Sequence, residues 1–367
     1  MKRAAPIANI RSLCALRLPS EQLIPAILET LHGIIPSACN LFDWTDPRGN
    51  LERYYFEGPI SPEVTRHYFQ EFHNRREQEV MPAFQLVLER AVLRSASELD
   101  NPDFFRSALY NEIWKPQGLY YRVEAVIHGS RQQPLGSLVL YRAPGDTIFS
   151  KDEEALLGAL VPYIARALET EAALPLDYAR RAGRRAQLSM SNEGELQYVS
   201  QDAHRMLLLA HGGITPDAAG RVSRRETSPT LGVLVEQLRR NHGRSVHGAS
   251  VTIENIWGRF VFEAEPLMPL DAAAPSAIHV TIHHDEPRVI AERRVLGVLP
   301  LSIAQREVCA LLHAGYTHSA IGTILSVAPS TVADHVKKIY TKLDVHSVHE
   351  LRSMLDAIAA DGASRCM

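Results

Sequence analysis

From Glu21 to Leu31 apolar residues recur at helical spacing, and the next two runs, Ser37 to Trp44 and Leu51 to Phe56, read as strands. Between them lies the turn-forming cluster Asp46-Pro47-Arg48-Gly49, so the order is a helix followed by a hairpin. Residues Ser61 to Leu93 read as helical, and Arg122 to Tyr141 supply a second hairpin around a polar turn. Ser150 and Glu153 form a capping box that starts a helix. On it Leu156, Leu157, Leu160, Val161, Ile164 and Leu168 make one apolar stripe, either core or a dimer seam, and Pro162 predicts a kink. The run Arg180, Arg181, Arg184 and Arg185 reads as the solvated face of a linker.

A second unit opens at Ala186. Residues 186–190 and 195–200 read as strands about the turn Ser191 to Gly194, followed by a helix over 203–210. Residues 251–255 and 259–267 make another hairpin, and Ala277 to Glu286 alternates like a half-buried strand. The organisation expected is therefore an α+β domain over 1–173, a linker over 174–185, a second α+β domain over 186–290 and a C-terminal domain over 291–367.

Composition changes this picture little. With 46% hydrophobic and 22% charged residues the chain is an ordinary globular protein, and a net charge of −3 requires any nucleic-acid contact to be local. Cys14, Cys39, Cys309 and Cys366 show no ligand or disulfide spacing, which fits a reducing cytoplasm, and no apolar stretch is long enough for a membrane span.

The C-terminal signals are sharper. Ser302 and Gln305 form a capping box for a helix with Val308, Leu311 and Leu312 inward and Gly315 at its end. Thr317 caps a short second helix expected to bury Ile321, Ile324 and Leu325, and Pro329 takes the first position of a third. Ser347 and Glu350 cap a fourth, with Leu351, Met354 and Leu355 apolar.

Leu301-Ser302, Gln305 to Val308, Gly315, Thr317, Ile321, Leu325, Val327, Ser330 to Val332, His335, Ile339, Lys342-Leu343 and Val345 together resemble the DNA-binding domain of the LuxR/FixJ family. The resemblance covers about sixty residues and implies an all-α four-helix helix-turn-helix domain whose third helix enters the major groove of double-stranded DNA. Val332, Val336, Ile339 and Leu343 fall on its buried stripe. The DNA-binding residues implied are Thr317, Ser330, Thr331, Ala333, Asp334, His335, Lys337, Lys338 and Lys342. His335 serves either a backbone contact or packing. Ala333 and Ala320 depart from the lysine and the acidic residue common in the family, which makes homodimerisation a natural remedy for modest affinity. RNA polymerase is a further partner if the protein is an activator.

The two front domains resemble GAF-like and PAS-like sensors in element order, giving a multidomain α+β sensor region ahead of the reader. The first is dense in aromatics, and Trp114, Tyr110, Phe105 and Tyr121 are the expected walls of a pocket for a small aromatic or apolar effector, with ordinary core as the alternative. Asn255, Trp257 and Arg259 form a lesser polar-aromatic candidate. His283-His284-Asp285-Glu286 reads as a solvated strand end, because neighbouring strand residues point to opposite faces, and neither a metal nor a cofactor is expected. The expected function is effector-controlled, sequence-specific transcription regulation; the alternatives are an interaction protein whose helix-turn-helix no longer binds DNA and an enzyme of unknown type.

Overall fold

The computed structural model describes residues 4–361 apart from 83, 91–92, 95–100, 173–174, 182–183, 214, 217–228, 242–247 and 272–275. Cys366 and Leu174 lie outside the described residues. Among the described residues no helix is long and apolar enough to cross a membrane.

Two antiparallel sheets carry the first 287 residues. The first is built from β1 (Cys39–Thr45), β2 (Leu51–Phe56), β3 (Leu93–Arg94), β4 (Tyr121–His128) and β5 (Pro134–Arg142), in the order β2-β1-β5-β4-β3. The Asp46 carboxylate accepts from the amides of Arg48 and Asn50, each at 2.8 Å, and so closes the β1–β2 turn. The second sheet comprises β7 (Arg185–Ser191), β8 (Leu196–Val199), β9 (Ala249–Asn255), β10 (Gly258–Leu267) and β11 (Ala277–Pro287), ordered β8-β7-β11-β10-β9, with the short β6 (Tyr178–Ala179) added on β11. Counted within each unit the two orders are the same, second-first-fifth-fourth-third.

The sheets differ in what covers them. The first is covered on both faces: Phe42, Val123, Ala125, Leu138 and Leu140 are buried on one side and Asp43, Arg122, Glu124, Val139 and Tyr141 on the other. Against the first side pack the helices Ser20–Leu31 and Lys151–Glu169. The Ser150–Glu153 capping box forms, the helix continues through Pro162, and Leu157, Leu160, Val161 and Ile164 are buried, so the stripe is core. An N-terminal helix, Ala4–Cys14, which the pattern did not announce, adds Ile10 and Leu13 to this core. The second sheet buries one face, Ala186, Leu188, Met190, Phe260, Phe262, Val280 and Ile282, beneath the helices Ala203–Ala210 and Pro229–Asn241.

Three expectations need correction. Residues 61–93 do not form one helix: Pro62–His67, a π turn Tyr68–Phe72, a 3-10 turn Arg76–Glu79 and Phe84–Arg90 follow each other, broken where Asn74 adopts a left-handed conformation and at Pro82. The arginine run is paired rather than solvated: Arg180 meets Asp285 at 2.8 Å, Arg181 meets Glu29 at 2.6 Å, and Arg184 hydrogen-bonds Tyr55, leaving Arg185 exposed. Nor is 283–286 a solvated strand end. His284 stacks on Phe260 at 4.3 Å with its Nε2 against the Trp257 carbonyl at 2.9 Å, Asp285 is buried between Arg180 and Arg259, and Glu286 pairs with Arg294. Burial holds the His284 imidazole neutral, far below its ordinary value at about 3.

The sheets meet through Trp257, whose ring lies 5.5 Å from Trp44 and 6.3 Å from Tyr55. Directly after β11 the helix Arg288–Val298 begins, with Ile290 in the core shared by both sheets and Val295 and Leu296 in a separate C-terminal core. The position between 290 and 291, expected as a domain limit, falls inside this helix.

Candidate functional site

The C-terminal core is enclosed by Ile303–His313, His318–Leu325, Pro329–Leu343 and Val348–Asp361. Ser302 and Gln305 complete their capping box, and Thr317 Oγ1 accepts from the Ala320 amide at 3.3 Å. Glu350 donates its amide to Ser347 Oγ at 3.1 Å, while its carboxylate accepts from the His346 amide at 2.8 Å, one residue earlier than in a regular box.

Between the second and third helices the chain turns at Ser326, which is left-handed (φ 55°). A Cβ on Gly322 would stand 2.8 Å from the Val327 carbonyl, so this tight turn requires glycine there. The helix Pro329–Leu343 then buries Val332, Val336 and Ile339 and turns Ser330, Thr331, Ala333, Asp334, Lys337 and Lys338 outward. The ammonium groups of Lys337 and Lys338 make no ion pair among the described residues.

Three expected contacts look different in place. Lys342 is engaged within the fold, donating to the Pro300 carbonyl at 3.1 Å and to Gln305 Oε1 at 2.9 Å. His335 is half-buried and its Nδ1 is enclosed without a hydrogen-bond partner among the described residues. Ile324, expected in the core, is 51% exposed.

Residues 299–355 match the family model of bacterial regulatory proteins, luxR family. The C-terminal region is a LuxR-family helix-turn-helix domain. No curated protein sequence matches the chain. Among solved structures, the phycoerythrobilin-bound GAF domain from a cyanobacterial phytochrome is 16% identical, covering 46% of this chain and 96% of that one, with a TM-score of 0.32. The Vibrio cholera VqmA-ligand-DNA complex is 17% identical over 48% of this chain and 83% of its own (TM-score 0.21). SdiA in complex with octanoyl-rac-glycerol is 12% identical over 96% and 92% (TM-score 0.30).

Ahead of the LuxR-family domain, the first sheet carries a cavity of about 150 Å³ on the face away from the second sheet. Period-two alternation selects its floor: Leu41 and Asp43, Tyr54 and Phe56, Arg122 and Glu124, Val139 and Tyr141 come from four strands, while the broken segment 61–90 and the π turn Tyr110–Trp114 roof it. Of the four expected walls only Trp114 lines it. Tyr110 and Trp114 both pack on Phe104, at 5.6 Å each, but Tyr110 turns to Phe105 at 5.1 Å, and Phe105 stacks on Tyr120 at 4.5 Å, which in turn abuts Tyr121. Phe105, Tyr110 and Tyr121 belong to that neighbouring aromatic cluster.

The charged groups were missed altogether. Asp43, Arg122 and Glu124 occupy inward positions on alternating strands, a signal present in the sequence but masked by the aromatics around them. Arg122 lies over the rings of Phe104 and Trp114 at 4.4 and 5.3 Å. Glu124 accepts from Ser137 Oγ at 2.9 Å, and Glu77 accepts from Tyr68 at 3.1 Å and from the Asn74 amide at 2.6 Å. Burial, then the nearby Glu124 and Glu77 carboxylates, push the Asp43 carboxyl well above its ordinary range.

A wider groove of about 350 Å³ runs between the N-terminal helices and Arg288–Val298. Of its charged lining residues Glu29 pairs with Arg181 and Arg294 and Arg293 with Glu307, while Arg306 donates to the Leu299 carbonyl at 3.2 Å. Asn255, Trp257 and Arg259 are likewise committed: Asn255 holds the Leu209 and Ala210 carbonyls, Trp257 Nε1 donates to Gly212 at 3.1 Å, and Arg259 pairs with Asp285 at 3.0 Å.

Proposed function

We propose that this protein is a sequence-specific DNA-binding transcription regulator controlled by a small effector in the first-sheet cavity, acting as a homodimer in the cytoplasm. The observation that carries the DNA-binding reading is the helix Pro329–Leu343, which belongs to a LuxR-family domain and keeps Ser330, Thr331, Asp334, Lys337 and Lys338 exposed along one side. Lysines contact phosphate or guanine, Asp334 accepts from cytosine N4, and Ser330 and Thr331 at the helix start bond phosphate, with Thr317, Ala333 and His335 bordering them. Lys342 supports this surface from behind. The repeated strand order supports reading residues 1–173 as a GAF-like unit and 186–290 as a PAS-like unit, joined by 174–185 and followed by the reader over 291–367.

The test is fluorescence anisotropy with DNA selected from a random pool by the full-length protein. Binding should be sequence-specific and fall steeply as salt rises, through counterion release. Failure to select any sequence, or binding indifferent to salt, refutes the reading.

A further inference from the structure

We propose that the first-sheet cavity takes a single-ring aromatic amine, bound as its ammonium ion against Asp43. The assignment rests on reading this cavity as the effector site.

Size sets the first limit. An apolar cavity of about 150 Å³ accepts benzene in another protein, so this one, of about 150 Å³, holds one ring with a short arm rather than a fused system or a long acyl chain. Charge sets the second. Three carboxyl groups, Asp43, Glu77 and Glu124, and the guanidinium of Arg122 line it, and Arg94 pairs with Glu124 at 3.6 Å. Glu77 and Glu124 are hydrogen-bonded within the fold, whereas the Asp43 side chain, only 7% exposed, has no hydrogen bond or ion pair among the described residues. A buried polar group without a partner is destabilising unless something supplies one. Trp114, another lining residue, keeps its Nε1 enclosed and without an acceptor among the described residues.

An ammonium arm converts the cost at Asp43 into a charge-assisted hydrogen bond, an alkyl arm leaves it in place, and a carboxylate arm sets a like charge against Asp43. The titratable groups around Asp43 reinforce this. The Tyr54, Tyr68 and Tyr141 hydroxyls are pushed up by burial and His73 is pushed down to about 4, so all four stay neutral, and the Glu77 carboxyl is also raised. Burial and the neighbouring carboxylates thus favour the protonated form of Asp43, and pairing with a cation favours the ionised one.

The experiment is isothermal titration of the full-length protein at neutral pH with tyramine, its uncharged isostere 4-ethylphenol, and 4-hydroxyphenylacetate. Tyramine should bind about tenfold or more tighter than 4-ethylphenol, the size of one charge-assisted hydrogen bond. The acid should not bind detectably. Repeating the titration in buffers of different ionisation enthalpy should show more proton release with tyramine than with 4-ethylphenol. Asp43→Asn should abolish the release and remove the preference for tyramine while 4-ethylphenol still binds. If 4-ethylphenol binds as tightly as tyramine, or Asp43→Asn leaves the preference for tyramine intact, the amine assignment is wrong and the cavity remains an effector site. If neither ring compound binds, the amine assignment and the effector reading of this cavity both fall.

Discussion

Lys337 and Lys342 carry the same charge on the same helix but stand in different surroundings. Lys337 is exposed and free of ion pairs among the described residues, whereas Lys342 is tied to the Pro300 carbonyl and to Gln305. Lys337→Ala should therefore leave stability within about 0.5 kcal/mol, the usual range for a surface change. On selected DNA it should cost about 1–3 kcal/mol, roughly 5- to 150-fold, if the ammonium meets a guanine. If it meets a phosphate, the slope of log affinity against log salt should flatten by about 0.9 per contact. Lys342→Ala should cost about 1 kcal/mol of stability, because two hydrogen bonds, one of them to the capping side chain Gln305, are lost at a partly exposed site. Its salt slope should not change. Urea denaturation paired with anisotropy across a salt series reads both quantities on each variant. The reasoning fails if Lys337→Ala leaves affinity and slope untouched, or if Lys342→Ala weakens DNA binding with stability intact.

Other outcomes follow from the same geometry. Gly322→Ala should cost about 1–3 kcal/mol by overpacking against the Val327 carbonyl, and should lower DNA affinity by opening the turn; an unchanged melting temperature would contradict this. Glu292 and then Asp356 hold His313 above its ordinary value of 6.5 despite burial. A raised folded value stabilises below the unfolded value and is lost as pH rises through the folded one, so the melting-temperature deficit of His313→Gln should be largest just below 6.5, with the carboxylates still ionised, and shrink as the pH rises above it. Asp285→Ala should destabilise by about 1–3 kcal/mol, because Arg180 and Arg259 lose their shared carboxylate while staying partly solvated. Chemical denaturation measures it, and a neutral result would mean that water replaces the pair.

Elements with one dominant face were legible in the sequence: the hairpins of both sheets, the capped helix from Ser150 and the C-terminal helices all lie where period and capping residues place them. Segment 61–90 was not, because its apolar residues roof a cavity instead of packing on a regular partner, and π and 3-10 turns blur the 3.6-residue period. Aromatic density pointed to the domain that carries the cavity, but of the four walls expected only Trp114 lines it. Phe105, Tyr110 and Tyr121 each pack on Tyr120 instead, an arrangement made by tertiary packing that no local pattern records. The arginine run and the stretch 283–286 misled for the same reason: each looks solvated alone, and each is the other's counter-charge.

The helix Arg288–Val298 has a mechanical consequence. Ile290 is anchored in one core and Val295 in the other, about 7.5 Å apart at 1.5 Å per residue, with no loop between β11 and the helix. A slack tether would let the reader tumble and forget the state of the sheets. A splint of this length cannot: a tilt at its first turn is delivered undiminished to its last, and heating should melt the two cores as one cooperative unit rather than as beads on a string.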